Sequence, residues 1–152
     1  MLLLKKDHIK IAITGSSGFI GKAFTTALQA NNCTVIKIVC SNLSIFNSLE
    51  LRDFLRRNRV RSLINAAGFT GKPNVDACES AKYECLQGNA VLPGILREVC
   101  EDLKITWGHI SSGCIYSGRR DDNKGWSEED EPNFSFRSPP CSFYSGTKAL
   151  GE

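Results

Sequence analysis

Short apolar runs alternate along this chain with stretches whose apolar residues recur at helical spacing. The runs Ile9–Thr14 and Cys33–Cys40 predict buried strands rich in β-branched residues. The stretch Gly18–Ala30 between them predicts an amphipathic helix that begins at a glycine turn. This alternation is typical of β-α-β units, in which helices connect the strands of a parallel sheet.

The same alternation continues through the middle of the chain. Ser48–Asn58 predicts a second helix, because its leucines and its phenylalanine fall on one face. Ser62–Ala67 and Ile105–Ser111 predict two further short strands. Between these strands, Val75–Cys100 is expected to be mostly helical, with a bend or break at Gly88 and at the following Pro-Gly pair (Pro93 and Gly94).

The last third of the chain has a different pattern. Ser117–Phe143 contains several prolines and acidic residues without a sustained period, so it predicts a long loop, and such loops are usually functional or mobile. Tyr144–Glu152 predicts the first turns of another helix. A parallel sheet of this kind needs further strands and helices to cover it, so we expect the substrate-binding part of the protein to lie beyond residue 152.

Composition agrees with a globular α/β protein. The chain has 152 residues, of which 41% are hydrophobic and 23% are charged, and this excludes collagen, a coiled coil or a disordered tail. We expect residues 1–152 to form one dinucleotide-binding domain, a doubly wound Rossmann-type parallel sheet with helices on both faces.

Charge and cysteine content exclude several other classes. The net charge is only +3, and the densest basic cluster, Arg56–Arg59, predicts the solvated end of a helix rather than a nucleic-acid site. No apolar run approaches the ~20 residues that span a bilayer, and Met1–Leu4 is too short for a signal peptide. The seven cysteines form no C-x-x-C pair, which argues against a metal site or a disulfide scaffold and favours reduced thiols in the cytoplasm.

A glycine-rich turn separates the first predicted strand from the first predicted helix. Gly15, Gly18 and Gly21 form a G-x-x-G-x-x-G pattern there. A tight turn needs positions without a Cβ, and a pyrophosphate needs close access to the N–H groups of the helix N-terminus. The pattern favours a dinucleotide site over an ordinary glycine turn. The expected cofactor-binding residues here are Gly15, Ser16, Ser17, Gly18, Phe19, Ile20 and Gly21.

The residue that would distinguish NAD from NADP falls near Ser41. An acid about 20 residues beyond the glycines binds the ribose hydroxyls of NAD, but the chain has Cys40, Ser41 and Asn42 there. A 2′-phosphate meets no repulsion, although no arginine is adjacent to bind it. The cofactor stays open between NAD and NADP, and the missing acid favours NADP.

A Y-x-x-x-K motif begins the last predicted helix. Tyr144 and Lys148 are four residues apart, so their side chains share one helix face, and we expect the ammonium to lower the pKa of the phenol. Such a tyrosine is a proton donor or acceptor. The motif follows Ser111 and Ser112 at the end of a predicted strand, in the right order for one site at the carboxyl edge of a sheet.

Together these motifs resemble the extended short-chain dehydrogenase/reductase family over nearly the whole chain. The resemblance implies that the N-A-A-G segment of Asn65, Ala66, Ala67 and Gly68 lies beside the adenosine and that Asn89 supports the active site at the cofactor. It also implies that Ser112, Tyr144 and Lys148 are catalytic, with Tyr144 and Lys148 at the cofactor as well. The implied protein is a homodimeric NAD(P)-dependent enzyme.

Four segments point to the nucleotide-sugar branch of that family. Gly113 and Cys114 stand where the dehydratases have an Asp-Glu pair, which disfavours 4,6-dehydration. Val75–Glu79 resembles the V-D-x-x-E segment of the dTDP-4-dehydrorhamnose reductases. Asn65–Asp76 and Glu129–Phe134 resemble the plant UDP-4-keto-rhamnose 3,5-epimerase/4-reductases. The implied substrate is a nucleotide-linked 4-keto-6-deoxy sugar, which the enzyme reduces and also epimerises if it resembles the bifunctional members.

Two alternatives stay open at this point. Cys114 matches the position of a cysteine acid/base in the GDP-fucose synthases, but a small structural cysteine is the simpler interpretation. The chain also fits a non-catalytic dinucleotide-binding or regulatory subunit, or another nucleotide-sugar epimerase. The intact Ser112, Tyr144 and Lys148 favour the enzyme.

Overall fold

A computed structural model describes residues 9–39 and 43–152. Its sheet has four strands, all paired in parallel, in the order β2-β1-β3-β4. The strands are β1 (Lys10–Thr14), β2 (Thr34–Ile38), β3 (Ser62–Asn65) and β4 (Thr106–His109). Each strand lies within its predicted run, so the prediction of an α/β, Rossmann-like parallel sheet is confirmed.

Helices connect the strands and follow them. They are α1 (Phe19–Ala30), α2 (Ser48–Arg57), α3 (Lys82–Leu86), α4 (Leu92–Leu103) and α5 (Phe143–Leu150). Short 3₁₀ turns cover Val75–Glu79 and Gly113–Ile115. The residues from 116 to 142 form an irregular loop, as the lack of a period predicted.

The second helix shows how local sequence sets an element. Asn47 caps α2, because its side-chain oxygen accepts hydrogen bonds from the backbone N–H groups of Leu49 and Glu50 at 3.1 and 3.2 Å. Leu51 and Leu55 are fully buried on one face, whereas the basic residues of the last turn face solvent. The predicted helix Ser48–Asn58 is therefore correct to within one residue.

The long segment is helical as predicted, but of the bend or break expected at Gly88 and at the Pro-Gly pair, a break is not found. Helix α3 continues into a π-helical turn, Gln87–Val91, and directly into α4, so the chain is helical from Lys82 to Leu103. The π turn accommodates Pro93, because widening the helix relieves the clash between a proline ring and the carbonyl one turn earlier. Gly94 also lies within α4 and does not end it.

The chain divides into two compact units. The first contains the sheet, α1 and α2 together with Ile95–Ile110, and the second contains Gly68–Gly94 and Ser111–Glu152. The core of the first unit is formed by fully buried aliphatic side chains, among them Ala12, Ile13, Leu51, Leu55, Leu63, Leu96 and Val99. None of the helices among the described residues is both long and apolar enough to cross a bilayer.

Candidate active site

The order of the strands places a binding crevice at the end of β1. The chain leaves β1 for β2 on one side and later returns to β3 on the other side. Ligands of parallel α/β sheets bind at such a switch point, outside the carboxyl ends of the strands. Here the glycine turn follows β1, and Ala66 and Ala67 follow β3.

Two of the three glycines are required by close backbone packing within the turn. Gly15 has a φ of +64°, and a Cβ there would lie 2.5 Å from the carbonyl oxygen of Ala66. A Cβ on Gly21 would lie 2.1 Å from the carbonyl oxygen of Gly15, so α1 approaches the turn closely. These contacts hold the end of β1, the end of β3 and the start of α1 together.

Gly18 has a different environment, which fits a ligand. It is exposed, its φ is −75°, and a Cβ there would meet only the Gly15 carbonyl oxygen, at 3.3 Å. Gly18 is the N-cap of α1, and its lack of a side chain leaves the first N–H groups of the helix without a side-chain cap. The structure places Ser16 and Gly21 in the interior and turns Ser17, Phe19 and Ile20 toward solvent. An open, uncapped helix start of this kind fits a pyrophosphate.

Asn65 is a structural anchor of this crevice. It is fully buried, and its Oδ1 accepts hydrogen bonds from the Thr14 hydroxyl at 2.5 Å and the Ala67 N–H at 3.2 Å. Its Nδ2 lies 2.9 Å from Nδ1 of His109. Asn65 therefore ties together the ends of β1, β3 and β4, and its side-chain groups are engaged by protein atoms. Residues 40–42, at the predicted ribose position, lie outside the described residues.

The predicted catalytic pair lies on α5, in the second unit. Tyr144 and Lys148 are 8% and 4% exposed, so both reactive side chains are largely withdrawn from water. The helix begins at Ser142, whose hydroxyl accepts a hydrogen bond from the Ser145 N–H at 3.0 Å. The i,i+4 spacing that the sequence predicted is therefore realised in a helix.

The electrostatics of Tyr144 differ from the expectation. Its pKa is raised above the ordinary value, chiefly because burial disfavours the phenolate, and the nearby thiols of Cys114, Cys78 and Cys85 act in the same direction. A hydrogen bond with Ser112 opposes this shift. The net shift is therefore opposite to the lowering that the Y-x-x-x-K spacing predicted. Tyr144 thus keeps its proton at neutral pH, as a proton donor must.

Burial shifts the pKa of Lys148 in the opposite direction, because it again disfavours the charged form. Its pKa is lowered below the ordinary value, mainly by desolvation, although Glu152 and Cys85 favour the charged form. In its protonated form the side chain is therefore a desolvated ammonium group on the same helix as the phenol. A buried ammonium of this kind is a strong hydrogen-bond donor.

Ser112 and Cys114 begin the loop that follows β4. The Ser112 hydroxyl accepts a hydrogen bond from the Cys114 N–H at 3.2 Å and also bonds to the Tyr144 phenol. Cys114 is exposed, unlike Cys78 and Cys85, which are fully buried. The structure therefore brings Ser112, Cys114 and Tyr144 together and leaves the Cys114 thiol accessible.

Asn89 holds together three segments of the second unit. It lies in the π turn, its Oδ1 accepts from the Phe69 N–H at 2.8 Å, and its Nδ2 donates to the Phe69 carbonyl at 2.9 Å. Nδ2 also lies 3.3 Å from the hydroxyl of Thr147, next to Lys148 on α5. This agrees with the supporting role that the family resemblance implied, and these bonds all go to protein atoms.

In the irregular loop of residues 116 to 142, the carboxylate of Asp130 makes several contacts that the sequence did not predict. Asp130 accepts hydrogen bonds from the backbone N–H and the hydroxyl of Ser127 at 2.8 and 2.9 Å. Both of its carboxylate oxygens also accept hydrogen bonds from the guanidinium of Arg120. The Ser127 bonds are the main reason why its pKa is lowered. The Tyr116 hydroxyl donates to the Asp130 carbonyl at 2.7 Å, and its ring stacks on Trp126.

This loop and α5 line a cavity of about 410 Å³. Its lining includes the apolar side chains of Phe136, Ala149 and Leu150, the acidic run Glu128–Glu131 and the basic residue Arg137.

Comparison with known proteins agrees with this geometry. Residues 9–152 match the RmlD substrate binding domain. The chain is 38% identical over 151 residues to a trifunctional UDP-glucose 4,6-dehydratase/UDP-4-keto-6-deoxy-D-glucose 3,5-epimerase/UDP-4-keto-L-rhamnose-reductase of Arabidopsis thaliana. That match covers 97% of this chain and 22% of the relative, so the chain spans about a fifth of the relative's length.

Solved structures share the fold. A dTDP-4-dehydrorhamnose reductase from Clostridium acetobutylicum superposes with a TM-score of 0.78 at 28% identity, over 94% of this chain and 47% of that one. The reductase from Bacillus anthracis, solved in complex with NADP, has a TM-score of 0.73 at 20% identity, over 95% of this chain and 48% of that one. By the match over residues 9–152, the chain belongs to the family of the RmlD substrate-binding domain.

Proposed function

We propose that this chain carries the cofactor-binding and catalytic part of an NADPH-dependent reductase of a nucleotide-linked 4-keto-6-deoxy sugar. The observation that carries the proposal is that a buried, protonated Tyr144 lies beside Ser112 and Cys114. Tyr144 is on α5, the helix that also carries the buried Lys148. The Arabidopsis relative, whose name includes a UDP-4-keto-L-rhamnose reductase, supports the substrate class.

The cofactor supplies a hydride to the C4 carbonyl carbon of the sugar. Tyr144 donates its phenolic proton to the carbonyl oxygen, so that the ketone becomes an alcohol and the phenolate remains. Ser112 orients the carbonyl oxygen and hydrogen-bonds to the phenol. Lys148, as a desolvated ammonium, stabilises the phenolate that forms and binds the cofactor ribose.

The glycine turn holds the pyrophosphate in this proposal. Gly18 leaves room for the phosphates, and the uncapped N–H groups at the start of α1 donate to them. NADP is the proposed cofactor, because the described residues and the sequence of Cys40–Asn42 offer no acid after β2 to bind the unmodified ribose.

Cys114 supports a second activity, 3,5-epimerisation before reduction. Protons α to a ketone are acidic, and an exposed thiol beside the proton donor is placed to remove one of them as its thiolate. The thiolate takes the proton from C3 or C5 and becomes a thiol, and a second acid on the opposite face, which is not among the proposed site residues of this chain, returns a proton drawn from solvent to the ring carbon. The Arabidopsis relative's name includes such a 3,5-epimerase.

Two further expectations belong to this proposal. The full-length protein is a cytoplasmic enzyme, which the free thiols at the six cysteines among the described residues support. It is also a homodimer, as the family resemblance implies. Gel filtration of the full-length protein with in-line light scattering tests the dimer, and a monomeric mass contradicts it.

The function is tested with the full-length protein, NADPH deuterated at the transferable position and a UDP-4-keto-6-deoxy hexose. The proposal predicts one deuterium at C4 of the product sugar, detected by mass spectrometry and NMR. Consumption of NADPH without labelled sugar, or no turnover with either NADPH or NADH, contradicts it.

A further inference from the structure

The V-D-x-x-E segment has no role in the proposed chemistry, yet it lies directly against the catalytic helix. Val75–Glu79 forms a 3₁₀ turn that begins at Asn74, whose side chain accepts from the Asp76 N–H at 3.0 Å. The last two residues of this turn, Cys78 and Glu79, both contact α5 residues.

Two consecutive residues of the 3₁₀ turn contact two consecutive residues of α5. Cys78 is fully buried and packs with Cys85 and Tyr144 in the apolar core of the second unit. Glu79 accepts a hydrogen bond from the backbone N–H of Phe143 at 2.7 Å, across 64 positions of sequence. Residues 78 and 79 thus fix residues 144 and 143.

This bond joins a backbone N–H to a carboxyl oxygen of Glu79, which is an exposed residue. Phe143 is the first residue of α5, so its N–H has no partner within the helix. A carboxylate at that position satisfies the N–H and interacts favourably with the helix dipole. The hydroxyl of Ser142 accepts from a different group, the N–H of Ser145. Glu79 is therefore a second capping residue of α5, and it comes from a distant part of the sequence.

The side chain of Phe143 is fixed as well. Its ring meets the ring of Phe136 edge-on, with centroids 5.5 Å apart, and Nζ of Lys82 lies 5.4 Å from its centroid. Backbone and side chain of the residue preceding Tyr144 are therefore both held by the same unit. Loss of the carboxylate would free the backbone at the point where the helix presents its phenol.

We propose that Glu79 is a positioning residue for Tyr144, acting through the N–H of Phe143. The inference rests on the proposed function, since it assigns Glu79 to the same active site. Glu79 touches neither substrate nor cofactor in this role. It fixes the first turn of α5, and with it the phenol oxygen that donates the proton.

The kinetic test compares Glu79→Leu with Glu79→Gln in the full-length protein. Glutamine keeps a side-chain oxygen that accepts from Phe143, whereas leucine keeps the bulk and loses the acceptor. We expect Glu79→Leu to lower kcat for NADPH-dependent reduction about tenfold, less than the ~100-fold that a misplacement of 1 Å can cause. KM for NADPH and for the sugar should change less than about twofold, and Glu79→Gln should retain most of kcat. Glu84→Leu, an exposed glutamate on α3, is the matched control.

Hydrogen exchange gives a readout that does not need activity. Mass spectrometry of the peptide containing residues 143–146 should show faster amide exchange in Glu79→Leu than in wild type, Glu79→Gln or Glu84→Leu. Unchanged exchange in Glu79→Leu overturns the inference, as does an equal loss of kcat in the leucine and glutamine variants. A wild-type protein without reductase activity contradicts the proposed function instead, and the exchange pattern then still decides whether Glu79 holds the start of α5.

Discussion

Tyr144 is 8% exposed, and its pKa is raised mainly because burial disfavours the phenolate. The folded protein therefore keeps this proton at neutral pH. The sequence could identify Tyr144 and Lys148 from their spacing, but it could not give the sign of the shift. That sign depends on how deeply the helix is buried, which the i,i+4 pattern does not contain.

Cys114 differs from the buried cysteines in being accessible, and this makes its proposed role testable. Cys114→Ala should abolish wash-in of solvent deuterium at C3 and C5 of the unreduced 4-keto sugar, measured by NMR. Hydride transfer to an already epimerised ketone should stay near the wild-type rate. Because the side chain is exposed, the substitution should change the free energy of unfolding by no more than about 0.5 kcal/mol.

The control for this experiment is Cys33→Ala, which removes a partly buried thiol of the first unit. Undiminished deuterium exchange in Cys114→Ala would show that the thiol does not move these protons. The protein would then be a reductase without an assigned epimerase residue.

The contacts of Glu79 and Asp130 could not be predicted from the sequence. Asp130 lies in a run of four acidic residues, and only its contacts with Ser127 and Arg120 distinguish it from its neighbours. Glu79 belongs to a recognised segment, but its partner lies 64 positions away. Long-range contacts of single side chains leave no periodic signal, so local patterns do not predict them.

At the scale of elements, the strands and helices follow closely from apolar periodicity. β1 and α1 lie within one residue of their predicted bounds, because a glycine turn separates two unambiguous patterns. The helix from Lys82 to Leu103 was predicted in the main, but its continuity was not, because Gly88 and Pro93 usually bend or break a helix and here a π turn accommodates them. Helices on both faces of the sheet stay a prediction, as does a single domain over residues 1–152.

In the glycine turn, one substitution can test the proposed cofactor binding without disrupting the fold. Gly18→Val should leave the fold intact, because φ is negative and only one atom lies near the new Cβ. The side chain should nevertheless fill the space proposed for the pyrophosphate. Calorimetric titration with NADPH should therefore show at least a tenfold loss of affinity, which corresponds to about 1.4 kcal/mol.

Two other glycines provide the comparison for this titration. Gly125→Val places a Cβ in open space within the long loop and should leave both folding and NADPH affinity unchanged. Gly21→Ala forces a Cβ against the carbonyl of Gly15 and should destabilise the fold itself. Wild-type affinity in Gly18→Val would refute the assignment of this turn to the pyrophosphate.

At the scale of the whole molecule, the proposed site residues fall in both compact units. The described part of the first unit carries the glycine turn, and the second carries Ser112, Cys114, Tyr144 and Lys148. The chain spans about a fifth of the Arabidopsis relative and about half of the two solved reductases.

The buried thiol of Cys100 predicts how the free energy of unfolding depends on pH. Burial raises the pKa of Cys100 to about 11, whereas the unfolded chain has the ordinary value near 9. Between these values the unfolded state binds fewer protons than the folded state, so the free energy of unfolding falls as pH rises. This thiol contributes a slope of at most about 1.4 kcal/mol per pH unit, and Cys100→Ala should remove it.

Urea unfolding of both proteins at intervals from pH 8 to pH 11 measures this slope. Alanine also lowers stability at every pH because it leaves a cavity, so the comparison concerns the slope and not the absolute value. Parallel pH dependences of wild type and Cys100→Ala would contradict the predicted thiol linkage.

The central claim, that Tyr144 donates the proton during NADPH-dependent reduction, is tested by the rate of that reduction in the full-length protein with Tyr144→Phe. Phenylalanine keeps the ring in its buried site and removes only the hydroxyl. We predict a fall in kcat of about 10²–10⁴-fold with NADPH affinity largely kept, while Tyr83→Phe, which changes a tyrosine that is 72% exposed, keeps the wild-type rate. A Tyr144→Phe variant that reduces the 4-keto sugar as fast as wild type would contradict the account.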